Sequence, residues 1–319
     1  MPFRQVTVSG FPALALRGAE AEVVVVPSLG MKVTNLRRAR GREWLWRSDQ
    51  IPLAPGIPGA SYVDTADSGG WDECFPTVAP CPMPGHPHSP PLPDHGELWS
   101  ARWTSAVSEH AAGTTLTAAT ASPRLPAEFH RSITVAAAEP VVEFRYRLRH
   151  TGGDPFRWIW SAHPLFSIQP GTTLELPGVS QVRVDSSHGR PDAEHGDILA
   201  WPGAVSGGVE RFTVPDPRAR WAMKLYADFG PSGQAVLTDP REGEQLIFRV
   251  DRSEVPQVGI WINCAGWAPE GRTPCFNLGV EPCIGAPDRL DQAVDDWGLA
   301  QTLAPGEERS WSVDVRLPG

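Results

Sequence analysis

The sequence predicts an all-β protein, a large antiparallel β-sandwich with one or few short helices, built as a single domain over residues 1–319. Three observations predict it. Short alternating or β-branched runs recur from one end of the chain to the other. Turn residues separate nearly all of them, as in Ser9-Gly10, Thr151-Gly152-Gly153-Asp154 and Pro231-Ser232-Gly233. The chain also carries 34 prolines and 31 glycines, which break long helices and punctuate short strands. Many short strands must bury one face each against another sheet, and the solutions are a sandwich or a barrel.

In chain order, strands are predicted at 5–8, 13–16, 22–26 and 32–36, then at 114–119, 130–135 and 141–148. The second half continues with 157–161, 221–226, 245–250, 258–263, 275–280 and 310–315. Two proline-rich stretches, 51–60 and 80–93, read as irregular loops. One segment reads as helix: Asp288 caps it, Asp291 favours its positive end, and Leu290, Ala293, Val294 and Trp297 form an apolar face before Gly298. No low-complexity block divides the chain, so one continuous domain is expected.

Charge and composition narrow the class. Net charge is −9 with a pI near 5.5, and Lys and Arg form no stripe, so a nucleic-acid partner is not expected. No apolar run approaches the roughly 20 residues of a membrane span, and residues 1–10 lack a signal pattern. No membrane association and a cytoplasmic location are the expectation, with a monomer or homodimer as the state. The five cysteines show no paired CxxC spacing and read as reduced thiols. Thirteen tryptophans suggest a bulky β core or sugar-stacking surfaces.

The run Phe276-Asn277-Leu278-Gly279-Val280-Glu281-Pro282-Cys283 places one carboxylate late in an apolar strand. Proline cannot continue a ladder, so Glu281 is expected where the strand leaves the sheet. Three further segments hold polar groups that an all-β core does not favour. Gly69-Gly70-Trp71-Asp72-Glu73-Cys74-Phe75-Pro76 joins a flexible glycine pair to an aromatic and two acids. In Pro93-Asp94-His95-Gly96-Glu97-Leu98-Trp99, the glycine after His95 would let the backbone approach a ligand closely. In Trp160-Ser161-Ala162-His163-Pro164-Leu165-Phe166, the histidine is expected to end an aromatic strand.

Together these segments resemble the galactose mutarotase (aldose 1-epimerase) superfamily in motif order. That order is a glycine-rich segment ending in Phe-Pro, then His-Gly, a histidine before an aromatic, and a late Glu-Pro, here Gly69 to Pro76, His95-Gly96, His163 to Phe166 and Glu281-Pro282. Trp261-Ile262-Asn263 also resembles a strand end of the branch related to hexose-6-phosphate epimerases. The resemblance covers roughly residues 20–300. It implies a sugar substrate, with Glu281 as base on the anomeric hydroxyl, His163 as acid on the ring oxygen, and His95 as a second donor there. It further implies that Trp71, Asp72, Glu73, Trp261 and Asn263 hold the sugar, and that no metal or organic cofactor is needed.

The departures bear on the substrate. Trp71-Asp72-Glu73 stands where the galactose-specific branch has an arginine, and Glu97 follows His95-Gly96 where the phosphosugar branch has His-Gly-Phe-Ala-Arg. A neutral aldose is therefore expected, bound by acids that accept hydroxyl hydrogen bonds. Plainer alternatives stand beside these roles: His95 and His163 as hydrogen-bonded structural histidines, Asp72 and Glu73 as solvated loop acids. His86 and His88 lack a third ligand at regular spacing, so no metal site is expected, and His188 and His195 read as exposed loop residues. Two rival functions remain open. One is a non-catalytic sugar-binding protein on this fold, and the other a hydrolase or lyase in which Asp72 or Glu73 opposes Glu281.

Overall fold

The strand Val141–His150, VVEFRYRLRH, buries Val142, Phe144, Tyr146, Leu148 and His150, while Arg145, Arg147 and Arg149 face water. Strict alternation of this kind is the mark of a sheet with one solvated face. Trp221–Asp228 and Phe276–Ile284 are instead buried along nearly their whole length. Those strands are covered on both faces, which is where a cleft can be built. The computed structural model describes residues 3–86, 88–206 and 211–318.

Two antiparallel sheets make the sandwich. The larger has eleven strands, in the spatial order Phe3–Val8, Phe11–Arg17, Ala21–Val26, Lys32–Arg38, Trp71–Cys74, Trp160–Ser167, Phe276–Ile284, Gln257–Cys264, Trp221–Asp228, Gln181–His188 and Ile198–Ala200. The smaller has nine, and Val141–His150 lies near its middle between Ala127–Ala136 and Glu308–Arg316. Between the sheets lies a core rich in aromatic rings. Trp71 stacks on Phe144 at 4.2 Å, and Tyr146 on Trp311 at 5.6 Å between ring centroids. Trp44, Trp71, Trp158, Trp160 and Trp311 are all buried there.

Most predicted strands are present, with four corrections. Pro282 does not end its strand, which runs on to Ile284, so Glu281 lies inside the sheet. His163 is likewise mid-strand in Trp160–Ser167. Gln181–His188, whose sequence QVRVDSSH shows little hydrophobic alternation, is a strand that was not expected. The helix is shorter than predicted, Leu290–Asp295, and no side chain caps it. Asp288 is occupied elsewhere.

The prolines act on one edge of the ladder instead of ending strands. Trp160–Ser167 and Phe276–Ile284 pair at Ser161↔Cys283 and again at Leu165↔Gly279, with no pairing between. Pro164 and Pro282, which have no N–H to donate, both fall in that gap. His163 and Glu281 occupy its centre.

Candidate active site

Register lines up a row of residues, all but one with polar side chains, across six neighbouring strands. Asp72 is opposite His163, and Gly259 is opposite both Glu281 and Tyr226. Lys32, one residue before Val33 in the pair Val33↔Trp71, completes the row by an ion pair with Asp72. The sequence Lys32, Asp72, His163, Glu281, Gly259, Tyr226 thus crosses the outer face of the sheet. Two neighbours of Glu281 on that face are glycines. A Cβ on Gly279 would stand 2.7 Å from Glu281 Oε1, and one on Gly259 3.4 Å from Oε2, so the carboxylate uses space that side chains would take.

Loops raise walls around this row and enclose a cavity of about 310 Å³, within the range of small-ligand sites. Its lining includes His95, His163, Glu281, Lys224, Asp288, Trp261, Trp267, Asp67, Asp94 and His188. A larger depression of about 550 Å³ lies around Arg42 and Asp239, which pair with each other, and it contains no histidine.

His95 arrives from a loop, with its backbone in the left-handed region at φ 56°. Its Nδ1 is 2.8 Å from Asp94, its ring stacks on Tyr62 at 4.1 Å, and its Nε2 lies 3.3 Å from Nε2 of His163. Tyr62 in turn donates to Asp72 at 2.7 Å. Burial works against charge on His95, but the hydrogen bond and the charge of Asp94 raise it above the usual histidine value. His163 goes the other way: burial, then the positive charges of His95, Lys224 and Lys32, hold it well below the usual value. Those two directions favour His95 as imidazolium donating to Asp94 and to His163, an arrangement in which His163 is neutral with its own proton on Nδ1. That Nδ1 is buried and has no partner.

Glu281 shows the same asymmetry at its two oxygens. Oε2 accepts from Lys224 at 2.5 Å and from Ser161 at 3.4 Å, while Oε1 is buried with no partner. Burial pushes its carboxyl above the usual value against the pull of Lys224, and Asp288 pushes it further. Asp288 accepts from Tyr226 and lies 3.4 Å from Lys224. Burial disfavours charge on Lys224, yet Asp288 and Glu281 raise it above the usual lysine value. Asp185, brought to this edge by a bulge between Val184 and Ser186, is lifted by burial and then by Asp288 to about 8. Two side chains that line one cavity, Glu281 and His163, thus each keep a buried polar atom without a partner.

Solved structures share this architecture. The Slr1438 protein from Synechocystis sp. PCC 6803 matches with a TM-score of 0.68 at 14% identity, over 99% of this chain and 95% of its own. The putative mutarotase YeaD from Salmonella typhimurium matches with a TM-score of 0.67 at 15% identity, over 99% of this chain and 93% of its own. The chain has the galactose mutarotase-like fold. A galactose mutarotase-like protein from Lactobacillus casei matches at 0.66 and 16%, over 96% of this chain and 100% of its own. No protein-family model and no curated protein matches the sequence.

The mutarotase-like fold brings together only part of the predicted site. Glu281, His163, His95 and Trp261 line one cavity. Trp71 and Glu73 do not reach it, because they point to the opposite face of their strand, into the sandwich. Trp71 is fully buried there, and Glu73 accepts from Trp71, Tyr146 and Trp160 and pairs with Arg131. Asp72 is on the cavity side but buried beneath it, held by Lys32 and Tyr62. Asn263 acts through the backbone, holding Gly266 and Trp267 and so fixing the Trp267 wall. Gly96 is required by the protein itself, since a Cβ would stand 2.1 Å from the Phe75 carbonyl.

Two more expectations change. Glu97 is buried with Ser122 and Arg124 and does not line the cavity. His188 ends a strand and lines the cavity instead of lying in an exposed loop. Pro87, between His86 and His88, lies outside the described residues; among those described, no group of three His, Cys, Asp or Glu is placed to hold a metal. No described helix is long and apolar enough to cross a membrane. Sequence reasoning missed Lys224, Asp94 and Asp288. A signal existed for the first, a lysine alone in the apolar run Trp221-Ala222-Met223-Lys224-Leu225-Tyr226.

Proposed function

We propose that this protein interconverts the α and β anomers of a neutral aldose by acid/base opening of the sugar ring. The observation that supports this best is that two buried, unpartnered atoms, Glu281 Oε1 and His163 Nδ1, come from side chains of one cavity. One is an acceptor suited to the anomeric O1–H. The other is a donor suited to the ring oxygen.

The steps balance without any other group. Glu281 Oε1 takes the O1 proton as the C1–O5 bond breaks and O5 receives the proton of His163 Nδ1. His163 is made whole at Nε2 by the proton of His95, whose charge Asp94 stabilises. The aldehyde turns about C1–C2, and the reverse transfers close the other anomer. Acid/base groups of this kind contribute about 10²–10⁴-fold each.

A neutral sugar is supported by the charges. Among the described residues lining the cavity, the cations are Lys224 and His95, and each is already paired with a carboxylate. No free cation is left for a phosphate. Hydrolysis has less support, because Glu73 faces the core, Asp72 is held beneath the cavity, and the carboxylate near Glu281, Asp288, has Lys224 between the two. A water or scissile oxygen needs that space.

One observation favours the second reading, a sugar-binding protein without turnover: Glu281 has no exposed surface. Polarimetry of freshly dissolved α-glucose, α-galactose and other aldoses separates the two. The proposal expects acceleration that Glu281→Gln abolishes. Sugar-dependent quenching of tryptophan fluorescence without acceleration would move the protein to the binding class.

A further inference from the structure

Lys224 is the side chain that meets Glu281 from the cavity wall. It sits in Trp221–Asp228, opposite Trp261 on the next strand, and reaches along the sheet to Glu281. Its Nζ is 2.5 Å from Glu281 Oε2 and 3.4 Å from Asp288 Oδ1. The three members differ in access. Glu281 has 0% of its side chain exposed and Lys224 5%, whereas Asp288 has 18%. The ammonium thus lies between a sealed carboxylate and a more open one.

We propose that Lys224 is the positioning residue of Glu281, holding the carboxylate charged while the site is empty and sliding toward Asp288 when a second sugar hydroxyl, beside the anomeric one on Oε1, takes its place at Oε2. The inference rests on the acid/base reading of Glu281 above. Two carboxylates around one ammonium supply two positions of similar chemistry for Nζ, so the move breaks no charge pairing outright. It also explains why Asp288 leaves the helix end. A carboxylate there cannot cap Leu290–Asp295 while it accepts from Tyr226 and faces Lys224.

Without Lys224 the buried Glu281 would take up a proton more readily and lose its function as a base. Besides Lys224 and Asp288, the ionisable groups around it are His163, His95, Asp185, Tyr226, Cys74 and Cys283. Of these, His95 supports the carboxylate form and Asp185 opposes it. The lysine is the nearest cation.

The test is the pH profile of kcat/KM for anomer exchange in wild type, Lys224→Met, Lys224→Arg, Asp288→Asn and Glu281→Gln. Lys224→Met should move the acid limb to higher pH by about one unit or more, a tenfold loss per unit at fixed low pH, and Lys224→Arg should restore most of it. Asp288→Asn leaves the Lys224 contact with Glu281 in place. It should move the acid limb to lower pH and raise KM, because Nζ loses its second position. An unmoved acid limb in folded Lys224→Met, or in Asp288→Asn if the first variant does not fold, overturns the inference while an inactive Glu281→Gln leaves the acid/base reading standing. An active Glu281→Gln overturns the reading itself.

Discussion

Glu73 and Glu281 are both buried glutamates, on strands of one sheet separated by a single strand, yet they face opposite ways. Glu73 points into the sandwich, where Oε1 accepts from Trp71 at 3.1 Å and Tyr146 at 3.0 Å and pairs with Arg131 at 3.0 Å, and Oε2 accepts from Trp160 at 2.9 Å. Both its oxygens are in use. Glu281 points to the outer face, where Oε2 is engaged and Oε1 is not. A fully bonded buried carboxylate specifies packing, because any change at it leaves donors unpaired. A half-bonded one keeps an acceptor in reserve, and such an orphan in a native fold asks for a functional reason.

The contrast breaks most sharply at Glu281. Glu281→Gln should lose about 10²–10⁴-fold in anomer exchange per folded molecule, with Lys224 keeping Asp288 as its carboxylate partner, read by polarimetry beside calorimetry. Arg131→Met is the opposite case. It removes the cation that opposes burial at Glu73, whose carboxyl burial raises to about 7 even beside Arg131, and should cost about 3–5 kcal/mol in denaturant unfolding above that pH, with exchange per folded molecule unchanged. A loss of exchange without a loss of stability in that variant would erase the distinction between the two faces.

Smaller effects sharpen the outer face. Activity that needs Glu281 ionised and His95 protonated should rise above the ordinary glutamate value and fall above the ordinary histidine value, as burial and Asp94 respectively set them. Asp94→Asn removes the charge that supports imidazolium, so the falling limb should move to lower pH by about one unit, read from kcat/KM. Trp261→Ala should raise KM by roughly 3–10-fold, the scale of one aromatic contact, with kcat little changed.

Much of this was legible in the sequence, and the reasons for the rest are physical. Alternation in Val141–His150 announces a half-solvated strand, and motif order brings Glu281, His163, His95 and Trp261 to one cavity. Strand parity separates the other three. Trp71, Asp72 and Glu73 are consecutive, so alternate members must face opposite ways, and only Asp72 shares the face of His163. Pro282 reads as a strand end because the ladder on one edge is invisible to a linear rule. Asp94, Lys224 and Asp288 come from distant segments, and no local pattern joins an acid before a loop histidine to a lysine 130 residues later.

The most direct test is magnetisation exchange between the anomeric protons of an equilibrated aldose, measured by NMR with wild type, Glu281→Gln and Glu73→Gln at equal concentrations of folded protein. The account predicts exchange above the buffer rate for wild type and Glu73→Gln, and the buffer rate alone for Glu281→Gln. Exchange by Glu281→Gln at the wild-type rate would contradict it.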